Sequence, residues 1–406
     1  MDNDRKIADL LFDETVWREY AHYKDEGGHI RKGRLEALEA FIARKGYLVP
    51  AQKVRDGRNF SYPEKKLVNK LRNGRKRAVY TWPEDENYVL KLMAYLLLRR
   101  YDHLFAPNLY SFRMSAGVPA AIARFTAQPQ TAACYVYKAD IHDYFRSVDV
   151  EQLLPMLEPV RTRDPEVYDF ISALLRSPYA LWEGEVVEEP KGIMAGCPIA
   201  VFLANVYLSD MDRHFQAQHR LYGRYSDDII VFTQTEAERS DCVRYIRQTL
   251  QERGLSINPD KEMYCQPHEE WTFLGISCRD GVCDISKASA EKLRQKMRRK
   301  ARALERWKRR KSASGERAAR AFIRVMNRKL YDNPVESELT WTRWYFPMIN
   351  TTATLKSLDH YMQECIRYIA TGKRNHGRYR FTYEDMKRLG YRSLVHEYYV
   401  TSQSEC

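Results

Sequence analysis

The sequence predicts an α+β fold, on three observations. Residues 134–277 read as strand, helix, strand, helix, strand, with acidic residues where two of the strands end. The first sixty residues read as helix with polar connections. Residues 287–330 are strongly basic and carry an apolar stripe at helical spacing.

The chain has 406 residues, of which 44% are hydrophobic, enough to bury the cores of two or three structural units. Lysine and arginine number 67 against 54 acidic residues, a net charge of +13, which points to a polyanionic partner. The opening MDNDRKIADL lacks a basic-then-apolar signal pattern. The longest apolar stretches, Tyr88–Leu98 and Ala195–Leu208, fall short of the ~18 residues of a membrane span. A cytoplasmic protein without a membrane partner is therefore expected. The cysteines (134, 197, 242, 265, 278, 283, 365 and 406) form no CxxC pair, so reduced buried thiols are expected and a zinc site is not.

Taken in order, Asp25-Glu26-Gly27-Gly28 breaks the N-terminal helices. A basic turn, Leu71–Arg77, contains Asn73-Gly74 and leads into a strand-like Ala78-Val79-Tyr80. Residues 86–100 have helical periodicity. Cys134–Ala139 is a β-rich run ending at Asp140, and 150–176 look helical. Phe202–Phe215 reads as one apolar helix, and Arg224–Phe232 as two short strands joined by a tight turn. Residues 237–253 form a helix, and Trp271–Ser277 a strand. Leu293, Met297, Ala301 and Leu304 share one stripe of a basic helix, which breaks at Lys311–Gly315 before a second. Residues 341–400 are aromatic and helical.

The sharpest chemical signal is Tyr225-Ser226-Asp227-Asp228 inside an apolar β context. Adjacent anions there repel, and must be paired or hold a metal. The same residues also suit a solvated hairpin tip. Asp140, at the end of its strand, is either a third carboxylate or a helix N-cap. Phosphoryl transfer to a hydroxyl uses two Mg²⁺ ions about 4 Å apart, held by oxygen ligands. Asp140 and Asp227 suit that task if their strands are neighbours.

These motifs stand in the order found in reverse transcriptases, and residues 70–280 resemble that family. Asp140-x-x-x-x-Phe145 resembles its first palm motif, and Gly192–Ile199 running into Phe202–Leu208 the second. Tyr225–Asp228 resembles the third, Gly254–Lys261 the fourth and Phe273–Ile276 the fifth. Upstream, Arg75–Tyr80 and Asn108–Arg113 resemble fingers motifs. The branch it looks most like holds group II intron, retron and stand-alone abortive-infection or defence-associated bacterial enzymes. Where the family has Pro-Gln-Gly, this chain has Met194-Ala195-Gly196.

The resemblance implies a right-hand polymerase. Its parts would be an N-terminal helical region (1–69), fingers (70–133), palm (134–278, with finger and palm helices at 150–190), basic helical thumb (279–340) and C-terminal helical extension (341–406). It implies metal binding by Asp140, Ile141, Asp227 and Asp228, with two Mg²⁺ ions or Mn²⁺ in their place. Catalysis would fall to Asp140, Asp227, Asp228 and Lys261, the lysine as general acid, although a surface lysine fits the sequence equally. Lys76, Arg77, Phe145 and Gly196 would bind the nucleotide. Phe145 would exclude a 2′-hydroxyl, unless it is a core aromatic, and Lys76 and Arg77 would grip the triphosphate, unless they sit in a solvated turn.

Arg113 would hold template or fingers structure, and Lys296, Arg299, Lys300 and Arg306 would lie along a phosphate backbone. Arg367, Lys373, Arg374 and Arg378 are further candidates for contact with structured RNA. The partners implied are an RNA template, a dedicated structured non-coding RNA, together with dNTPs and a DNA product. The role implied is antiphage defence. Two alternatives stay open: an untemplated or protein-primed DNA polymerase, and an inactive RNA-binding module on the same fold. Oligomeric state is not legible.

Overall fold

A computed structural model describes residues 4–26, 32–69, 76–113, 117–189, 192–331, 340–372 and 380–404. The fold is α+β, as the sequence predicts. It divides into two compact units, one running from the N-terminal helices to Pro267 and the other from His268 onward. Among the described residues, no helix is long and apolar enough to cross a membrane.

In chain order the strands are β1 (Glu64–Asn69), β2 (Lys76–Thr81), β3 (Tyr135–Asp140), β4 (Tyr179–Trp182), β5 (Glu185–Glu188) and β6 (Leu221–Tyr225). They continue as β7 (Asp228–Thr233), β8 (Met263–Cys265), β9 (Trp271–Phe273), β10 (Ile276–Arg279) and β11 (Val282–Ile285). The first unit holds two four-stranded sheets, β6-β7-β3-β8 and β2-β1-β4-β5. In β6-β7-β3-β8 every pairing is antiparallel. Its centre is the apolar run Ile229–Phe232 of β7, buried throughout. The Glu236–Glu252 helix packs on β7 and β3. A capping box, in which Thr235 and Glu238 satisfy each other's backbone N–H groups, starts that helix.

The second sheet was only partly legible. β1 reads Glu-Lys-Lys-Leu-Val-Asn, without apolar alternation, and the β4–β5 hairpin falls where helices are predicted. The hairpin turns on Glu183 (φ 53°) and Gly184 (φ 92°), a pair of left-handed residues that suits the strand twist. The Asn73-Gly74 turn lies outside the described residues. The predicted 202–215 helix is two helices, Ala200–Tyr207 and Ser209–Ala217.

In the second unit β11-β10-β9 form a separate three-stranded sheet. The strand predicted over 271–277 is thus two strands, folded back at Leu274-Gly275, and the fourth strand of the acidic sheet is β8. Cys278 and Cys283 stand opposite each other across β10 and β11 and are joined by a disulfide. This corrects the expectation of reduced thiols for that pair: the Asp280-Gly281 turn fixes a register that brings the two together. Cys134, Cys197, Cys242, Cys265 and Cys365 are buried and outside that disulfide.

The basic helix spans Lys287–Arg310 and packs with the Gly315–Leu330 and Ala353–Thr371 helices. Its buried stripe is Leu293, Met297, Ala301 and Glu305, where Leu304 was expected. Steps of four carry the stripe to Glu305, whose carboxylate is paired with Lys308 at 2.6 Å and Arg309 at 3.1 Å. Arg294 and Arg298 turn toward Ser357 and Tyr361. Lys296, Arg299, Lys300 and Arg306 form no ion pair among the described residues, and Arg299 and Arg306 are exposed. Arg367 is buried, so it offers no surface to RNA, while Lys373, Arg374 and Arg378 lie outside the described residues.

Candidate active site

The backbone register of two strand pairs assembles the acidic cluster. Across β3 and β7, Asp140 stands opposite Asp228, and across β6 and β7, Tyr225 stands opposite Asp228. Only Ser226 and Asp227 remain to make the turn, and Ser226 takes a left-handed φ of 57° to close it. The Asp227 carbonyl accepts the Ile141 N–H at 2.9 Å, which ties the turn to the end of β3. Ser256–Asn258 runs alongside: the His142 N–H donates to Ser256 at 2.8 Å and the Asn258 N–H to Asp140 at 2.8 Å. That pairing delivers Lys261, whose Nζ donates to Asp140 Oδ2 at 2.7 Å.

One carboxylate oxygen each from Asp140, Asp227 and Asp228 lies within 4.8 Å of the others. Asp140 is buried, and the other two are half-buried. Burial, then the charges of Asp228 and Asp140, push the Asp227 carboxyl up to about 6. Lys138 pairs with Asp228 at 2.9 Å, so two lysines face three carboxylates. The donors are all hard oxygens converging on one volume, a set that fits a divalent cation of the Mg²⁺ type. Ile141 has an apolar side chain, so its contribution to such a site is confined to its backbone carbonyl.

Behind the turn sits a second charged group that sequence reading noted only as a flanking residue. Arg224 and Asp212 are both fully buried and paired at 2.6 Å. Burial opposes the guanidinium's charge, but the Asp212 carboxylate outweighs it and holds Arg224 above its ordinary value. Arg224 also donates to the Ser226 carbonyl at 3.2 Å and to the Asn205 carbonyl at 3.1 Å. Asn205 exchanges hydrogen bonds with Ser111, and Tyr110 N–H donates to the Arg224 carbonyl at 2.9 Å. The Asn108–Arg113 and Phe202–Leu208 motifs thus meet at the base of the acidic turn. Lys138 was missed as well, although its place two residues before Asp140 puts it on the same strand face.

The Gly192–Cys197 loop is bracketed by backbone bonds. The Ile193 N–H donates to the Phe145 carbonyl at 2.7 Å, and the Tyr80 N–H to the Ala195 carbonyl at 2.8 Å. A Cβ on Gly192 (φ 113°) would meet the Arg146 carbonyl at 2.3 Å, and one on Gly196 (φ 106°) the Tyr80 carbonyl at 2.6 Å. The close approach these glycines permit is therefore to the chain's own backbone. Phe145 is half-buried against Tyr144, and Lys76 and Arg77 are exposed at the start of β2. Arg113 is turned inward: Nε and Nη2 grip Asp102 at 2.7 and 2.8 Å, and Nη1 donates to the Ala106 carbonyl at 2.8 Å. It braces structure, the second of the two roles expected of it.

Residues 86–278 match the family model described as reverse transcriptase (RNA-dependent DNA polymerase). That stretch is similar to the reverse transcriptase domain. The matched stretch covers a little under half of the chain and contains the whole carboxylate cluster. No curated protein matches the chain. Among solved structures it is similar to apo telomerase from Candida tropicalis (13% identity, TM-score 0.49, 81% of this chain and 63% of that one). A form of that telomerase truncated from its C-terminal domain gives 13% identity and TM-score 0.45 over 56% and 55% of the two chains. Telomerase from Candida albicans, solved with a TWJ fragment of telomeric RNA, gives 10%, 0.45, 81% and 63%. The chain spans 55% to 63% of the length of these telomerases.

Proposed function

We propose that the chain is an RNA-directed DNA polymerase that copies RNA into DNA by two-metal phosphoryl transfer. The observation that carries this reading is the meeting of Asp140, Asp227 and Asp228, from two separate parts of the chain, within 4.8 Å inside the stretch that matches the reverse transcriptase model. Asp140, Asp227 and Asp228 would hold Mg²⁺, with the Ile141 carbonyl beside them, and the ions would supply Lewis acidity at the attacking hydroxyl and the triphosphate. Lys261, on Asp140, places an ammonium where departing pyrophosphate needs a proton or a counter-charge. Lys76 and Arg77 are free to grip phosphates, and Phe145 to crowd a 2′-hydroxyl. The cations Lys296, Arg299, Lys300 and Arg306, without ion pairs among the described residues, suit a template–product duplex. The template we propose is a dedicated non-coding RNA, and the setting is antiphage defence in a bacterial cytoplasm, on the strength of the motif resemblance.

Asp227→Ala with Asp228→Ala is expected to abolish dNTP incorporation while RNA affinity stays within about tenfold, since phosphate contacts dominate binding. Retained incorporation by the folded double variant overturns the reading. Product that stays attached to the protein until protease treatment would favour the protein-primed alternative. Phe145→Ala should admit ribonucleotides more readily, read as the ratio of rNTP to dNTP incorporation, and an unchanged ratio removes Phe145 from that role.

A further inference from the structure

We propose that Phe112 is a binding residue for a primer–template duplex and seats its paired end beside the acidic turn. The proposal rests on the polymerase reading and adds to it a contact made by none of the residues placed so far at the carboxylates. Leu109 bridges Arg224 in parallel along the outer edge of β6, and Tyr225, at the end of that strand, stands opposite Asp228. The chain leaving this edge is locked on both sides of Phe112. Ser111 is buried, its hydroxyl donating to Asn205 Oδ1 at 2.7 Å and its carbonyl accepting from Asn205 Nδ2 at 2.9 Å. Arg113 is drawn inward onto Asp102. Between them Phe112 takes a left-handed φ of 57°, and its ring, with the residue 41% exposed, stands 5.8 Å from the Tyr225 ring.

A bulky side chain strains a left-handed backbone, and glycine would hold the same turn without that cost. The exposed ring returns little to the fold, since much of its apolar surface stays in water. An exposed residue held in strain beside a site points to a partner that completes the contact. What stands around the ring sets the partner's chemistry. Phe112 has no charge, and the neighbouring guanidiniums are engaged, Arg113 with Asp102 and Arg224 with Asp212. The ring therefore suits a sugar and a base edge, not a phosphate. Tyr225 carries this surface on toward Asp228, so what lies on Phe112 continues to the carboxylates. Strands lie ~4.8 Å apart, which puts the chain beyond β6 roughly 10 Å from β7, about three nucleotide steps of ~3.4 Å. In the sheet, β3, the strand that leads to Phe145, lies on the other side of β7. A nucleotide held from the Phe145 side leaves the Phe112 side to base pairs already made.

The test uses the full chain and a fluorescein-labelled DNA primer annealed to a longer RNA strand, with binding read by anisotropy in the absence of dNTP. Phe112→Gly should weaken binding about tenfold, the scale of one base–aromatic contact. The slope of log affinity against log salt should stay as in wild type, because no phosphate contact is lost. The urea midpoint should be no lower than that of wild type, since glycine relieves the backbone. Phe112→Tyr, which keeps the ring, should bind within about twofold of wild type. In steady-state incorporation by Phe112→Gly, the KM for primer–template should rise about tenfold, with kcat and the KM for dNTP within about twofold. Unchanged affinity, a changed salt slope, or a shift confined to the KM for dNTP overturns the proposal. Phe112→Asn, also at ease in this conformation, carries the same expectations and stands in should the glycine variant not fold. A midpoint below wild type in both variants makes the ring part of the fold and overturns the proposal too. Binding is read without catalysis, so a wild type that holds the duplex through Phe112 but incorporates nothing removes the polymerase reading and leaves this contact standing.

Discussion

The Arg224–Asp212 pair and the Asp140–Asp227–Asp228 cluster lie almost back to back, since Arg224 is two residues from the turn that carries Asp227. Yet they handle charge in opposite ways. Asp212 is fully buried, and its oxygens accept from Arg224 Nε at 2.9 Å, from Arg224 Nη2 at 2.6 Å and from the Tyr222 hydroxyl at 3.0 Å. The cluster in front has three carboxylates against Lys138 and Lys261, and one of its members is left wanting a proton. The satisfied pair holds the hairpin rigid, and the unsatisfied cluster stores the attraction that a cation releases on binding. A chain that needed only a stable turn would have no use for the second arrangement.

The largest effect should come from breaking the balanced side. Arg224→Met strands a buried Asp212 carboxylate and frees the Ser226 carbonyl, at a cost of about 3–5 kcal/mol. A urea unfolding midpoint measures it. Combining it with Asp212→Leu should recover most of the loss, because an apolar pair carries no unpaid desolvation. If the single variant unfolds near the wild-type midpoint, the pair is not what holds the turn.

The unbalanced side should respond with the opposite sign. A carboxyl raised from 3.8 to about 6 favours the folded state only while protonated. Its contribution is therefore full below pH 3.8 and lost as pH rises through about 6. In chelator at pH 7, Asp227→Asn should stabilise the chain by up to about 3 kcal/mol, at 1.36 kcal/mol per unit. The stability loss between about pH 4 and 6 should also vanish. The same variant should lose dNTP incorporation and the rise in Tm expected when Mg²⁺ is added to the wild type. A variant less stable than wild type in chelator would show that the three carboxylates do not strain one another.

The contrast also marks what sequence can convey. The front side was legible: adjacent acids in an apolar strand pair are conspicuous, and the order of the surrounding motifs gave Asp140 its partners. The back side was not. Arg224 flanking Tyr225 reads as a surface charge, and nothing in Asp212, on a helix of mixed polarity, announces a fully buried ion pair. Such pairs are set by tertiary approach, which leaves no period in the chain. The same holds for β1, whose Glu-Lys-Lys run follows no strand pattern, and for the division of 271–285 from the acidic sheet, which depends on two left-handed turns. Glu305 in place of Leu304 is a milder case, because a charged residue enters a buried stripe only where Lys308 and Arg309 meet it.

The smallest effect should sit at the hinge between the two clusters. Ser226 is buried and closes the turn with φ 57°, a region where a side chain costs roughly 1–2 kcal/mol. Glycine removes that strain but gives up about 0.5–1 kcal/mol to the freer unfolded chain. Ser226→Gly should therefore gain about 0.5 kcal/mol or break even, with incorporation retained, since its carbonyl still accepts from Arg224. Ser226→Val, β-branched at a left-handed position, should lose stability and activity together. Matched unfolding and incorporation assays on the two variants separate the explanations. Were glycine the more damaging of the two, the Ser226 side chain, and not its backbone, would be what the turn requires.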